Sequence, residues 1–206
     1  MVYLFGFSGP ASSGKSTLVT EVAEWLKCNG YNVVIKNEKF REVFNKHLNK
    51  YNISLDDVRQ NPDLYLEIEI ESLKEQFTNE VNTLYSQADI ALFDRISVDY
   101  LMYSVFYLPV SKWMRMVKIY NELIKESLRL FDGIFLCEPL NNGNWNDGFR
   151  SENDIKNSWF HFELLRNWLT REESVKKLII VKSDSIESRV RFVVGEIVKV
   201  LIKNKK

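Results

Sequence analysis

The segment Gly9-Pro10-Ala11-Ser12-Ser13-Gly14-Lys15-Ser16 constrains this chain more than any other feature. It fits the pattern G-x-x-x-x-G-K-[ST], in which a glycine-rich loop wraps a phosphate group. The glycines let the backbone curl so that successive N–H groups turn inward toward anionic oxygens. A helix beginning near Lys15 would present the positive end of its dipole to the same anion. The flanks agree with this reading. Val2-Tyr3-Leu4-Phe5-Gly6-Phe7 is a short apolar run of the kind that forms a buried strand. Ser16–Lys27 carries Leu18, Val22 and Leu26 at helical spacing and is closed by Asn29-Gly30. From average residue usage, a chance match to the motif in such a chain has odds of roughly one in a hundred. Its position between a strand and a helix lowers those odds further.

Four more apolar runs bounded by turn signals follow, at Tyr31–Ile35, Asp89–Phe93, Ile134–Cys137 and Leu178–Val181. Helical stretches separate them. One starts near Lys39 with Phe40, Val43, Phe44 and His47 on one side. A long one opens at Asn61-Pro62-Asp63, and its apolar stripe reads Leu64, Ile68, Leu73, Phe77, Val81, Leu84. Val98–Leu108, Ser111–Leu130, Asp154–Thr170 and Ser185–Ile202 complete the helices. Short, wholly apolar strands alternating with helices predict a parallel sheet covered on both faces. The expected fold class is therefore α/β, a three-layer P-loop NTPase with a five-stranded parallel sheet and helices on both faces. No repeat, low-complexity linker or composition break divides the chain, so one domain over residues 1–206 is expected. A lid region is expected at 139–152, where Asn and Gly dominate.

Composition narrows the partners. Lys plus Arg and Asp plus Glu number 28 each, for a net charge of zero. That balance argues against a polyanion such as DNA, or an acidic membrane surface, as the main partner. Cys28 and Cys137 match no metal or redox spacing and read as reduced thiols, Cys28 near a helix end and Cys137 on a buried strand. No run approaches the roughly 20 apolar residues that span a bilayer, and the first residues lack the basic start of a signal peptide. A soluble, cytoplasmic protein is expected, and its assembly state stays open, a homodimer included.

Parallel sheets bind their ligands at the carboxyl ends of the strands. Lys15 is expected to bridge the β- and γ-phosphates of a nucleoside triphosphate, and the Ser16 hydroxyl to ligate Mg²⁺. Gly9, Ala11, Ser12, Ser13, Gly14 and Thr17 complete the cradle. Acids and arginines recur at the other strand ends. Glu38 follows the second strand with Arg41 one turn later, Asp94-Arg95 follows the third, and Glu138 follows the fourth. A carboxylate there can accept a proton from an attacking hydroxyl or hold magnesium, directly or through water. An arginine can neutralise a phosphoryl group in flight or bind an acceptor phosphate. Asp94, an acid directly after an apolar strand, occupies the usual magnesium position. Each of these residues can instead be a helix N-terminal acid or a surface ion pair. The loop Asn141–Ser151 holds Trp145, Asp147, Gly148 and Arg150, and reads as a lid or a loose excursion. Arg150 is the residue that would close over the phosphates and exclude water. The aromatic run Tyr100, Tyr103, Phe106, Tyr107 and Trp113 either stacks a base or packs helices together.

Several separated segments together resemble one family. They are Gly9–Ser16, Glu38-Lys39-Phe40-Arg41-Glu42, Leu92-Phe93-Asp94-Arg95, Phe131-Asp132-Gly133-Ile134-Phe135-Leu136 and Asp147-Gly148-Phe149-Arg150-Ser151. The chain resembles the NadR-type P-loop kinases, the ribosylnicotinamide kinase domain and its AAA-labelled relatives, which are akin to thymidylate and deoxynucleoside kinases. The resemblance implies a five-stranded kinase core, Mg-ATP as phosphoryl donor and a small nucleoside-like acceptor. By position it implies that Glu38 and Arg41 contact the acceptor or act near its hydroxyl. Asp94 would serve magnesium or the base role, Asp147 and Arg150 would belong to the lid, and Arg189 would lie near the adenine. The third-strand motif Asp94-Arg95-Ile96 is closer to thymidylate kinases than to the ribosylnicotinamide enzymes, which leaves the acceptor open.

The function expected is transfer of the γ-phosphate of ATP to a small nucleoside or nucleotide. Lys15, Glu38, Asp94 and Arg150 are the catalytic candidates, and Glu38 and Asp94 both stand as the base. Glu38, Arg41, Arg95, Glu138 and Asp147 are the acceptor-side candidates, and Ser16 and Asp94 the metal-side ones. Two other readings use the same motif. One is a nucleotide-binding switch without an acceptor, and the other is a kinase acting on modified DNA.

Overall fold

The chain, seen in a computed structural model, is described over residues 2–140 and 156–203. Five strands form one parallel sheet: β1 (Tyr3–Ser8), β2 (Val33–Lys36), β3 (Ile90–Asp94), β4 (Gly133–Cys137) and β5 (Leu178–Val181). Their order across the sheet is β2-β3-β1-β4-β5. The phosphate-loop strand is thus central, flanked by β3 with Phe7 opposite Asp94 and by β4 with Phe7 opposite Phe135. The described helices are α1 (Lys15–Cys28), α2 (Phe40–Tyr51), α3 (Leu55–Gln60), α4 (Pro62–Thr83), α5 (Ser97–Tyr107), α6 (Val110–Leu130), α7 (Ser158–Arg171) and α8 (Ile186–Lys203).

Successive strand side chains point to opposite faces, and the sequence fills both with apolar groups. Phe5, Phe7, Leu92, Phe135 and Val181 turn toward α1 and α8, where they meet Leu18, Val22, Leu26, Val193 and Ile197. Leu4, Ala91, Phe93, Ile134 and Leu136 turn the other way and pack with side chains of α2, α4, α5, α6 and α7. Burying a side chain such as Phe5 or Leu4 in full contributes about 1.5–3 kcal/mol. The expected three layers are therefore present, with helices on both faces of a parallel α/β sheet. Cys28 is an exposed free thiol at the end of α1 and Cys137 a buried one on β4. No described helix is long and apolar enough to cross a membrane.

Two elements differ from the sequence reading. The helix α3 lies where no element is expected. It is started by Ser54, whose hydroxyl accepts from the Asp57 N–H while the Asp57 carboxylate accepts from the Ser54 N–H. On α4 the expected apolar stripe holds at Ile68 and Leu73 but not beyond. Leu84 is exposed, and the buried face continues through Ser72, Gln76, Glu80 and Thr83. The reason is local. This half of α4 lies beneath the β3–α5 junction, whose peptide and hydroxyl groups need hydrogen-bond partners that apolar side chains cannot give. Glu80 accepts from the Ser97 N–H, the Ser97 hydroxyl, the Ser127 hydroxyl and the Gln76 amide.

Candidate functional site

Between β1 and α1 the chain crosses the carboxyl edge of the sheet as a tight loop. Gly9 has φ 140°, and a Cβ there would lie 2.6 Å from the Cys137 carbonyl oxygen, so the close passage over β4 requires glycine. Ser12 and Gly14 adopt left-handed conformations, at φ 59° and 68°. The loop is held from three sides. Asp99, at the start of α5, accepts from the Ser8 hydroxyl at 2.9 Å and the Gly9 N–H at 3.1 Å. Arg189, buried on α8, donates to the Ser13 carbonyl at 2.9 Å. The Lys15 ammonium donates to the Gly9 and Pro10 carbonyls and to the Ser13 hydroxyl, at 2.8, 2.6 and 2.9 Å.

The electrostatics suit an anion. Burial pushes the Lys15 ammonium down to about 8, the Arg95 cation adds to the drop, and Asp99 and Asp94 oppose it. A dianionic or trianionic group beside it would reverse that shift. The Ser12 hydroxyl is buried without a hydrogen-bond partner, an orphan that a phosphate oxygen satisfies. Ser16, Thr17, Asp94 and Arg189 line one cavity with the loop. Ser16 and Asp94 offer it two hard oxygen donors. Mg²⁺ takes one or two such groups and completes its shell with phosphate oxygens and water, so this donor set fits that ion. Among the described residues no cluster of three or more His, Cys, Asp or Glu forms an all-protein cage.

Arg95 follows β3 directly and sits at φ 75°. A residue with a Cβ pays about 1–3 kcal/mol for such a conformation, and the surroundings hold it there. Its N–H donates to the Phe7 carbonyl at 3.0 Å, and its own carbonyl accepts from Gln76 at 3.3 Å. The guanidinium then meets Glu38 at 2.5 Å, donates to the Tyr103 hydroxyl at 3.1 Å and approaches Asp99 at 3.8 Å. The other Glu38 oxygen accepts from Arg41 at 2.8 Å. Burial alone would lower the Arg95 cation, but Tyr103, Glu38, Asp99 and Asp94 outweigh it and the group stays charged. Glu38 and Arg41 reach this point because α2 starts here. Its first N–H groups have no side-chain cap of their own. The Tyr100 hydroxyl supplies the acceptor instead, taking the Lys39 and Phe40 N–H groups at 3.2 and 3.1 Å.

Beyond this trio lies a second cavity, walled by Phe40, Phe44, Tyr65, Tyr100, Tyr103 and Tyr107. Glu38, Arg41 and Arg95 line both cavities and mark their junction. The aromatic run therefore splits. Tyr100, Tyr103 and Tyr107 face the second cavity, whereas Phe106 packs on His161 with ring centroids 4.0 Å apart and half-buried Trp113 packs against the core.

Not every candidate is brought together. Glu138 accepts from the Ser183 N–H at 2.9 Å, at the turn between β5 and α8, and lines neither cavity. Asp147 and Arg150, with the expected lid, lie outside the described residues. Asp94 is the last residue of β3 and faces the phosphate-loop cavity only. Four residues of the aromatic cavity, Arg59, Tyr65, Glu69 and Asp99, escaped the sequence reading. Asp99 looks like an ordinary first-turn acid, and its other oxygen does accept the Ile96 N–H at 3.0 Å. Tyr65 and Glu69 of α4 lie on a helix face that was read only for its apolar groups. The spacing of Tyr65, Glu69 and Gln76 with Ile68 and Leu73 was the available signal.

Comparison with known proteins agrees with this fold. A family model described as an AAA domain matches residues 4–189. No curated protein matches the chain. Among solved structures, a NadR protein in complex with NR is similar over 97% of this chain and 51% of its own, at 20% identity and a TM-score of 0.75. A NadR protein in complex with NAD and AMP-PNP is similar over 97% of this chain and 49% of its own, at 17% identity and a TM-score of 0.66. The chain thus spans about half the length of these NadR chains. A deoxyadenosine kinase from M. mycoides with bound dATP is similar over 94% of this chain and 98% of its own, at 12% identity and a TM-score of 0.66.

Proposed function

The chain belongs to the AAA domain family, and we propose that it is a kinase transferring the γ-phosphate of ATP to a small nucleoside or nucleotide. One observation carries the proposal: Glu38, Arg41 and Arg95 line both the phosphate-loop cavity and the aromatic cavity. A phosphoryl-transfer enzyme needs its base and its cations at such a junction, between donor and acceptor. A nucleotide switch without an acceptor has no use for the second cavity. The similarity to a NadR protein with NR and to a deoxyadenosine kinase with dATP supports the same class of acceptor.

In this reading the loop Gly9–Ser16 and Lys15 hold the β- and γ-phosphates, with Arg189 bracing the loop at Ser13. Glu38 takes the proton from the acceptor hydroxyl as its oxygen attacks, because it is the carboxylate that borders both cavities. Arg95 and Arg41 hold the Glu38 oxygens and lie where negative charge accumulates on the transferring group. Asp94 borders the donor cavity alone, which suits magnesium rather than the base role. Ser16, and Asp94 through water, would hold Mg²⁺, whose charge would offset that of the β- and γ-phosphates. The ring of Tyr103, with the Arg95 guanidinium 5.2 Å from its centroid, holds that cation in place. Residues 1–206 act as one kinase domain, with residues 139–152 as its lid and Arg150 closing over the phosphates. The free thiols Cys28 and Cys137 suit the reducing cytoplasm.

Transfer from labelled ATP with Mg²⁺ tests the proposal across nucleosides, deoxynucleosides, nucleotides, ribosylnicotinamide and short DNA, beside Lys15→Ala. The expected result is one small acceptor labelled strongly, with the label lost in the variant. Slow hydrolysis with no labelled acceptor would refute it in favour of the switch, and labelled DNA in favour of a polymer substrate.

A further inference from the structure

The aromatic cavity contains one acidic side chain that the chemistry above does not use. Glu69, on α4, is 1% exposed and lines the cavity. One of its oxygens accepts from the Tyr65 hydroxyl at 2.7 Å. The other, Oε2, is buried and has no hydrogen-bond partner. A buried polar atom left without a partner costs about 1–3 kcal/mol. The buried Ser72 hydroxyl on the same helix also has no partner, but it lines neither cavity. Glu80, three turns further along the same helix, accepts four hydrogen bonds. Glu69 differs from Ser72 in lining a cavity, so its missing partner can come from outside the chain.

The neighbouring groups say what kind of partner. Phe40, Phe44, Tyr100, Tyr103 and Tyr107 line the same cavity, and flat aromatic walls select a planar ring. Burial raises the Glu69 carboxyl to about 8, against smaller opposing effects of Tyr65 and Arg95. At neutral pH it is largely the neutral acid, which offers one O–H donor and one acceptor oxygen on the same plane. The complement of that pair is a planar group carrying an N–H donor beside an acceptor atom.

We infer that Glu69 reads the ring of the phosphoryl acceptor, selecting a heterocycle with an amide or amidine edge, a hydrogen-bond donor next to an acceptor. The inference rests on the kinase reading for the word acceptor, and on the cavity alone for the ring. Glu69 is a specificity residue in this account. It touches the ring and takes no part in the transfer assigned to Glu38 and Arg95.

Calorimetric binding of three matched pairs tests it: adenosine against purine riboside, cytidine against pyrimidin-2-one riboside, and ribosylnicotinamide against N-ribosylpyridinium. Each pair differs by the amino or carboxamide group. The wild-type protein should bind one amide- or amidine-bearing member roughly 10- to 100-fold more tightly than its stripped partner. Glu69→Gln, which keeps a neutral donor and acceptor, should retain most of that preference. Glu69→Leu should abolish it and leave the stripped partner's binding nearly unchanged. Equal wild-type affinity within all three pairs would overturn the inference, as would no binding at all, or an equal loss for both members in Glu69→Leu. If Glu69→Leu does not fold, the wild-type preference and the Glu69→Gln result decide. Labelled-ATP transfer run alongside separates the two claims. Selective binding without phosphorylated product overturns the kinase and keeps Glu69 as the ring reader. Product formed without selectivity does the reverse.

Discussion

Binding of a nucleoside triphosphate should be accompanied by proton uptake at Lys15, in an amount set by pH. The free protein holds that ammonium at about 8, lowered chiefly by burial and then by Arg95. Phosphate charge placed against it favours the protonated form and restores the usual lysine range. At pH 9 the free group is then only about one-tenth protonated and the bound group almost wholly so, an uptake of roughly 0.9 proton. The uptake should be roughly 0.5 at pH 8 and roughly 0.1 at pH 7. The last phosphate proton, with a pKa of about 6, is gone throughout the upper part of this range and adds nothing there. Affinity should fall by roughly fivefold between pH 8 and 9 and by roughly sevenfold between pH 9 and 10, until the bound group itself titrates. Titration calorimetry in buffers of different ionisation enthalpy measures the uptake directly. A value that does not rise between pH 7 and 9 would refute the argument, because either the ammonium is not depressed or the phosphates do not meet it.

Three further outcomes follow from the contacts. Gly9→Ala sets a Cβ 2.6 Å from the Cys137 carbonyl and adds a backbone penalty of about 1–3 kcal/mol. It should abolish triphosphate binding by calorimetry, and retained affinity would count against the close passage over β4. Arg95→Ala strips Glu38 of its 2.5 Å partner. Because Arg41 still holds the other Glu38 oxygen, the substitution should cost about 1–3 kcal/mol in denaturant titrations and raise the acceptor KM sharply, with an unchanged KM as the refuting result. Glu80 titrates at about 7, raised by burial above its ordinary 4.5. The folded state therefore binds this proton more tightly than the unfolded one, so the associated stability is full below about pH 4.5 and is lost as pH rises through about 7. Glu80→Gln should remove that decline from urea titrations run between these limits. A decline of the same size in the variant would show that it arises elsewhere.

The layers were legible because their cause is local. Five runs such as Leu178–Val181 are almost wholly apolar, and a sheet covered on both sides accommodates them. The cradle was legible because it is contiguous in sequence, and Glu38, Arg41 and Arg95 because each follows a strand. The polar face of α4 was not legible. Gln76 and Glu80 have the composition of a solvated helix face, and only the distant groups they meet, Arg95, Ser97 and Ser127, explain their burial. Asp99 was hidden for a related reason. Its ties to Ser8 and Gly9 span about ninety residues, a separation that no periodicity reports. The short α3 carries a legible signal in Ser54 and Asp57, which its weak apolar pattern concealed.

The central place of β1 in the sheet has a consequence for how the protein is made. β1 leaves the ribosome before either segment it pairs with, Ile90–Asp94 on one side and Gly133–Leu136 on the other. Until both arrive, Leu4, Phe5 and Phe7 belong to a ribbon with two open edges, the kind of segment that recruits chaperones or other copies of itself. Closing contacts so far apart in sequence is slow. Gly9 also takes its tight path over Cys137, so the loop acquires its final shape only after β4 is in place. A nascent chain halted before Cys137 would carry the whole Gly9–Ser16 motif and still bind no triphosphate. The motif is written at Gly9–Ser16, but its maturation waits for Cys137, roughly 120 residues further along the chain.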